Sequence, residues 1–548
     1  MPPSLTPRHR ALGVGILAAL VAAAVVALTV GGCADKSTVV PAQASTRTHP
    51  LETIFEAQSE LSANPGPTLA LLKRLGVDQV KVFMPWAGMA PDPESHARPH
   101  FNAASPAAYS PAVWAGFDAI VRGAASRGLG IDLALEGPAP LWATTPGVPS
   151  GTATSFLGTW EPVAMQYGLF VHAVAERYSG HYQPPGAPSK LPKIDYWSIW
   201  NEPNYGQQLA PQAIDNSTVE VSPALYRRLL DSAWSALAQT GHGHDTILIG
   251  ELAPRGQTVG DQPGNFSGMV PLRFIRALYC VDSSLHPLSG SAAAARSCPS
   301  TSAGSAAFPR QHPGLFEASG FAFHPYPQGF APDVRTPGEP DYADLPQLQQ
   351  LENTLDGAMA AYGSHVHLPL YNTEFGYQTN PPETMIARAV HPAQAAAWAN
   401  QAEYMSWRDP RVVSWDQYLL SDPAPGPSSF DTGLQFSDGK PKATYDAFRM
   451  PVWLPSQSAR QGQALEVWGC VRPAHYVLAH SRKPQVADIQ FKPASGGAFK
   501  TIKRVALTDP YGYFDTQVTF RSSGTVRISW DYPHGPRIHS RTVQVTIR

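Results

Sequence analysis

At 548 residues, with 43% hydrophobic, 10% aromatic and 15% charged side chains, the chain exceeds one ordinary domain and suits a large barrel plus a smaller partner. Its 40 basic and 42 acidic residues leave a net charge of −2 with no basic block, which removes the electrostatic case for a nucleic-acid partner. The 55 prolines and 45 glycines fall mostly between periodic segments and read as ordered loops, not as disorder.

Residues 1–33 read as a targeting segment. Arg8, His9 and Arg10 precede a small-apolar run over 11–30, and Val30-Gly31-Gly32-Cys33 follows. A basic start, an apolar stretch and small residues before a cut form the signal-peptide pattern. The V-G-G-C ending resembles a bacterial lipobox, which implies lipidation of Cys33 as the mature N-terminus. The alternative is an uncleaved signal anchor, since the run is long enough to span a bilayer. Either way a lipid or an anchor helix ties the chain to a membrane, or the chain is secreted, and the rest lies outside the cytoplasm. Residues 34–50, rich in Ser, Thr, Pro, Ala and Gln, read as a flexible tether. Of the four cysteines, Cys280 and Cys298 flank a Ser/Ala/Gly-rich stretch and are candidates for a disulfide, though spacing alone leaves the connectivity open. Cys470 is then single, in a strand.

Over 51–450, short apolar runs alternate with helical stretches. The runs cover 53–56, 79–86, 130–135, 194–200, 246–252, 320–324, 368–374 and 412–420. Helical periodicity covers 67–75, 112–127, 162–178, 223–239, 345–362, 392–407 and 442–448, and residues 255–319 read mostly as an insertion. Eight runs alternating with helices predict an α/β fold, a (β/α)₈ barrel. Over 451–548 the pattern changes. Strand-like segments at 464–471, 486–491, 500–507, 514–520, 525–530 and 542–547 are separated by turn signals such as Ser495-Gly496-Gly497, with no convincing helix between them. They predict a small antiparallel, Ig-like β-sandwich.

The fourth run ends in Ile199-Trp200-Asn201-Glu202-Pro203-Asn204 and the seventh in Tyr371-Asn372-Thr373-Glu374-Phe375-Gly376. Strand C-terminal ends converge on one barrel mouth, so Glu202 and Glu374 are expected to face each other. Hydrolysis of a glycosidic bond needs such a pair, one carboxyl to protonate the leaving oxygen and one to attack or to activate water. Each residue alone has a plainer reading: Glu202 as a charge at a helix N-terminus, Glu374 as a loop residue. Together, N-E-P-N closing strand 4 and T-E-F-G closing strand 7 resemble clan A of the glycoside hydrolases over roughly residues 50–450. That clan comprises retaining enzymes on (β/α)₈ barrels, its cellulase-like and xylosidase-like families among them. The resemblance implies Glu202 as acid/base, Glu374 as nucleophile and Asn201 as a ligand of the sugar 2-hydroxyl.

Strand 6 ends in His324-Pro325-Tyr326, where clan members often place a Tyr or His bonded to the nucleophile. Plain packing is the competing reading for both residues. Trp86, Trp142, Tyr205, Trp415 and Tyr418 cluster at the strand ends. Trp86, Trp142 and Trp415 are taken as sugar platforms, because sugar C–H faces stack on aromatic rings. Core packing is equally open to each. Two positions depart from the clan: Lys81 stands where strand 2 usually carries Arg, and Glu136 ends strand 3 in place of a His-rich pattern. The chain is therefore expected to be a retaining glycosidase acting on an extracellular poly- or oligosaccharide, with no cofactor and no metal. A non-catalytic carbohydrate-binding envelope lipoprotein and a transglycosylase using the same pair are the alternatives. Sugar, linkage and oligomeric state stay open.

Overall fold

The computed structural model describes residues 39–41, 51–213, 217–257, 265–336, 339–386, 388–424, 426, 430–533 and 535–548. The proposed signal segment and Cys33 lie outside them. Eight parallel strands close into a barrel: β1 (Glu52–Glu56), β2 (Gln79–Pro85), β3 (Gly130–Glu136), β4 (Tyr196–Ile199), β5 (Thr246–Leu252), β6 (Gly320–Phe323), β7 (Leu370–Asn372) and β8 (Val412–Tyr418). β1 and β8 pair from Glu52 with Ser414 to Glu56 with Tyr418 and complete the ring. The strands are buried on both faces, which is why they read as near-continuous apolar runs. They fall where the sequence placed them.

The crossover helices begin with proline in the first turn, where a missing N–H costs nothing, as in Pro65–Leu75, Pro111–Ala125, Ser222–Gln239 and Pro392–Arg408. Pro65–Leu75 stops at Gly76, whose φ of 88° places it in the left-handed region. The β5–β6 connection, expected mostly as an insertion, instead holds four short helices: Pro271–Leu278, Gly290–Ala294, Ser302–Gln311 and Pro313–Glu317. Two of them pack on Ser222–Gln239, so the segment supplies the helical layer there. Their shortness hid the helical period from sequence. Cys280 and Cys298 are bridged within it, and Cys470 is free and buried. Among the described residues no helix is long and apolar enough to cross a membrane.

After the helix Ala443–Arg449 the chain forms two sheets. β9 (Val452–Trp453), β10 (Ala464–Cys470) and β13 (Tyr513–Thr519) make the smaller. β11 (Gln485–Pro493), β12 (Lys500–Leu507), β14 (Gly524–Trp530) and β15 (Val543–Ile547) form the body of the larger. Apolar residues from the inner faces, among them Val467, Ile489, Val505, Phe514 and Ile528, fill the space between. The pairing is antiparallel except at the edges, where Ser458–Ala459 pairs parallel with β15. Two expectations are corrected. Val39–Pro41, inside the stretch read as a tether, pairs parallel with Arg504, Val505 and Ala506 of β12, because that edge offers unpaired backbone groups. A helix, Ala474–Ser481, interrupts the strands; Tyr476 on it donates to the Val77 carbonyl ahead of β2 and lies under Lys73.

Arg472 is a buried polar tie between sandwich and barrel. Its guanidinium donates to Glu403 of Pro392–Arg408 at 2.7 Å, to Thr53 of β1 at 2.8 Å and to the Phe448 carbonyl at 2.9 Å. Tyr513 of β13 donates to the same Glu403 oxygen at 2.7 Å. Both charged side chains are 1% exposed, so neither can recover water if its partner is removed. Arg472→Ala is expected to lower the unfolding free energy by about 3–5 kcal/mol, read as a fall in the urea midpoint. Arg537→Ala, whose partner Asp531 is largely exposed, is expected to cost less than about 1 kcal/mol in the same measurement.

Candidate active site

A cavity of about 980 Å³ opens at the C-terminal ends of the barrel strands. Glu202 and Glu374 both line it. An oxygen of each and a ring nitrogen of His324 all lie within 4.8 Å of one another. The side chain of Glu202 is 19% exposed and that of Glu374 9%, so both reach the cavity from otherwise buried backbone.

The backbone that presents Glu202 is unusual. Trp200 has φ 69° and Glu202 φ 39°, the left-handed region, which costs a bulky L-residue about 1–3 kcal/mol. Two backbone bonds hold it there: Trp200 N–H to the Leu135 carbonyl at 3.0 Å, and Glu202 N–H to the Glu251 carbonyl at 2.9 Å. Pro203 follows and prevents a regular continuation of the turn. Glu374 leaves β7 just after Thr373, and Phe375 N–H is caught by Asp416 of β8 at 3.1 Å.

Below the pair lies a buried polar cluster. Lys81 on β2 reaches Glu251 at 2.8 Å, Glu374 at 3.5 Å and Glu56 at 3.7 Å. So the strand-2 cation does meet Glu374, and lacking Arg's planar fork it spreads over three carboxyl groups as a point charge. His324 Nδ1 lies 3.1 Å from Glu202 and 3.4 Å from Glu374, while its Nε2 lies 2.9 Å from Glu251. Tyr326 donates to Glu374 at 3.0 Å. His324 thus meets both carboxyl groups and Tyr326 meets Glu374.

Charge in this space is set by burial and by these neighbours. Burial would lower the His324 pKa, but Glu374 and the bonds to Glu202 and Glu251 carry it up to about 9. Burial pushes the Glu374 carboxyl above its ordinary range, against the pull of His324 and Lys81. Burial would raise Glu251 too, yet Lys81 and His324 hold it well below the carboxylate range. Burial and then Glu374 push Glu136 up to about 8. Glu136 lines the cavity and has no ion-pair partner among the described residues. Asn201 also lines it, its Oδ1 buried and unpartnered. Glu202, His324 and Glu374 are also the set with spacing to hold a cation, though their facing atoms already contact one another.

The three tryptophans taken as sugar platforms do not line the cavity. Trp86, 1% exposed, packs against Tyr167 at 5.5 Å and Phe170 at 6.1 Å, turned outward toward Ala164–Arg177. Trp142 sits edge-on to Trp86 and Phe101, its indole N–H bonded to the Pro91 carbonyl. Trp415 packs on Phe375 at 4.6 Å on the outer face of β8, because Asp416 and Tyr418 hold the opposite parity. Phe83, Tyr205, Tyr326, Tyr418 and Phe430 are the rings on the wall among the described residues. Sequence reading passed over Glu56 and Glu251. An acid closing an apolar run, as in Thr246-Ile247-Leu248-Ile249-Gly250-Glu251, was the available signal.

No family model matches the chain, and no curated protein does. Among solved structures it is similar to a family 39 glycoside hydrolase from Bacteroides cellulosilyticus WH2, at 14% identity, TM-score 0.44, with 91% of this chain and 79% of that one covered. A glucosidase from Croceicoccus marinus matches at 12% identity and TM-score 0.44, over 92% and 94%. A family 1 β-glucosidase from Thermotoga maritima matches at 11% and 0.43, over 73% and 95%. These likenesses are distant, and the chemistry of the site rests on its own geometry.

A raised histidine pKa contributes stability in full below its unfolded value of about 6.5 and loses it as pH rises through about 9. The stability gap between the protein and His324→Gln is therefore expected to be larger at pH 6 than at pH 10, by urea titration at both.

Proposed function

We propose that the chain is a retaining glycoside hydrolase of extracytoplasmic poly- or oligosaccharides, with Glu202 as acid/base and Glu374 as nucleophile. That one oxygen of Glu202 lies within 4.8 Å of one of Glu374 carries this reading. Inversion needs a gap of roughly 6.5–9.5 Å to admit a water, whereas direct attack needs about 5–5.5 Å. The donors around the two also differ. Glu374 is met by Lys81, His324 and Tyr326, three donors that favour an anion. Glu202 is the more exposed and faces the space a leaving group would cross.

The reaction then runs in two displacements. Glu374 attacks the anomeric carbon while Glu202 gives its proton to the glycosidic oxygen, and the aglycone departs. Glu202, now ionised, takes a proton from water, which displaces Glu374. The unpartnered Asn201 Oδ1 can accept from a sugar hydroxyl, and Tyr418 and Tyr205 supply apolar wall. Glu202→Ala is expected to lose about 10²–10⁴-fold in kcat/KM on unactivated glycosides and much less on aryl glycosides with good leaving groups. Azide should restore turnover of that variant with retained configuration, read by NMR of the product. Glu374→Ala should form no glycosyl-enzyme. Full activity of Glu202→Ala on natural glycosides, or retained-configuration azide rescue of Glu374→Ala, refutes the roles.

We also place the chain outside the cytoplasm, anchored at Cys33. The basic start, apolar run and V-G-G-C sequence support this, and the Cys280–Cys298 bridge suits an oxidising compartment. Mass spectrometry of the mature N-terminus is expected to find residues 1–32 removed and Cys33 acylated, or a retained anchor helix; an intact, unmodified cytoplasmic chain contradicts both.

A further inference from the structure

Glu251 lies behind the cavity wall and is fully buried. One of its oxygens, Oε2, receives Lys81 Nζ at 2.8 Å, His324 Nε2 at 2.9 Å and Thr373 Oγ1 at 3.0 Å. Thr373 directly precedes Glu374, and the Glu251 carbonyl accepts the Glu202 N–H at 2.9 Å. Glu251 itself has φ 49°, so two left-handed residues at the ends of β4 and β5 lock onto each other. One residue therefore reaches both carboxyl groups of the proposed reaction by separate routes, backbone for Glu202 and side chain for Glu374.

The imidazole of His324 stands between them. It has a carboxylate oxygen facing each nitrogen, and a ring so placed needs a proton on both. The titratable groups around it are Glu202 from β4, Glu251 from β5, Glu374 from β7, Lys81 from β2 and Asp416 from β8. Lys81 and Glu374 are shared with one another, while Glu251 alone faces Nε2. The His324 Nδ1 is hydrogen-bonded to Glu202 at 3.1 Å and lies within ion-pair range of Glu374 at 3.4 Å, so the charge of the ring acts on both.

We propose that Glu251 is the positioning residue of this site: it holds His324 as an imidazolium whose positive charge serves first Glu374 and then Glu202. This rests on the retaining reading. Before attack the anion is Glu374; in the glycosyl-enzyme Glu374 is a neutral ester and Glu202 is the anion. One fixed cation stabilises each in turn, with no reorganisation between steps. While Glu202 is the acid, its Oε1 accepts from the ring, which leaves its proton on the other oxygen, toward the leaving group.

The test has two arms. Ring ¹⁵N shifts of His324 in the unmodified protein should show both nitrogens protonated at pH 7.5; a neutral ring there overturns the proposal without any variant. In Glu251→Gln the ring should titrate lower by about one unit or more, while Glu251→Asp, which keeps the charge, should stay near the parent. On an aryl glycoside, the ratio of parent to Glu251→Gln kcat/KM should grow about tenfold or more between pH 6 and pH 8.5. A ratio constant with pH, or an unmoved ring titration, reduces Glu251 to a packing residue. If the parent turns over no glycoside, the retaining reading fails, and the ring titration still decides whether Glu251 sets the charge of His324.

Discussion

A carboxylate oxygen buried among three donors is stable only while all of them stay in place, and Glu251 Oε2 is in that position. Lys81, His324 and Thr373 come from β2, from the end of β6 and from the end of β7. Their meeting point fixes the relative heights of those strands at the barrel mouth, at a depth where water cannot substitute. The carboxyl groups above inherit that placement. A shift at any of these strand ends would leave a charge uncompensated, which is a stronger constraint than packing alone provides.

The same space holds more acid than cation. Among the described residues, Glu56, Asp132, Glu136, Glu202, Glu251, Glu374 and Asp416 surround Lys81 and His324. Two cations cannot balance seven carboxylates in a low dielectric. Burial accordingly pushes Glu56 and Asp416 far above their ordinary range, and Asp132 up to about 7. Glu251, which both Lys81 and His324 touch, is instead held well below that range. Charge is thereby sorted by contact.

The C-terminal sheets contribute none of these side chains. Their part is mechanical: Arg472 grips β1 and the helix Pro392–Arg408 at once, and Trp468 packs against Tyr404 and Trp407 of that helix. β1 and β8 are the seam of the barrel, and the grip lies across the helix that leads into β8 and across β1 itself. The sandwich thus braces the closure on which the mouth depends.

Periodicity and local motifs were enough for the eight strands, the change of character after Ala443–Arg449, and the pairing of Glu202 with Glu374 at strands 4 and 7. Each of these is written in a short stretch of chain: apolar runs, proline-started helices, N-E-P-N and T-E-F-G. The orientation of single side chains was not written there. Trp415 and Tyr418 are both aromatic and three apart, and only closure of the barrel decides which parity faces in. The placement of Trp86 in the core depends on a helix nearly eighty residues later in the chain. Glu251 resembled any strand-end acid until β2, β6 and β7 brought Lys81, His324 and Thr373 to it. Local sequence determines which elements form and which chemistry they can carry, because those follow from short-range sterics and burial. Which groups share protons and charge is decided by long-range closure, because contacts at about 3 Å arise between residues a hundred or more positions apart.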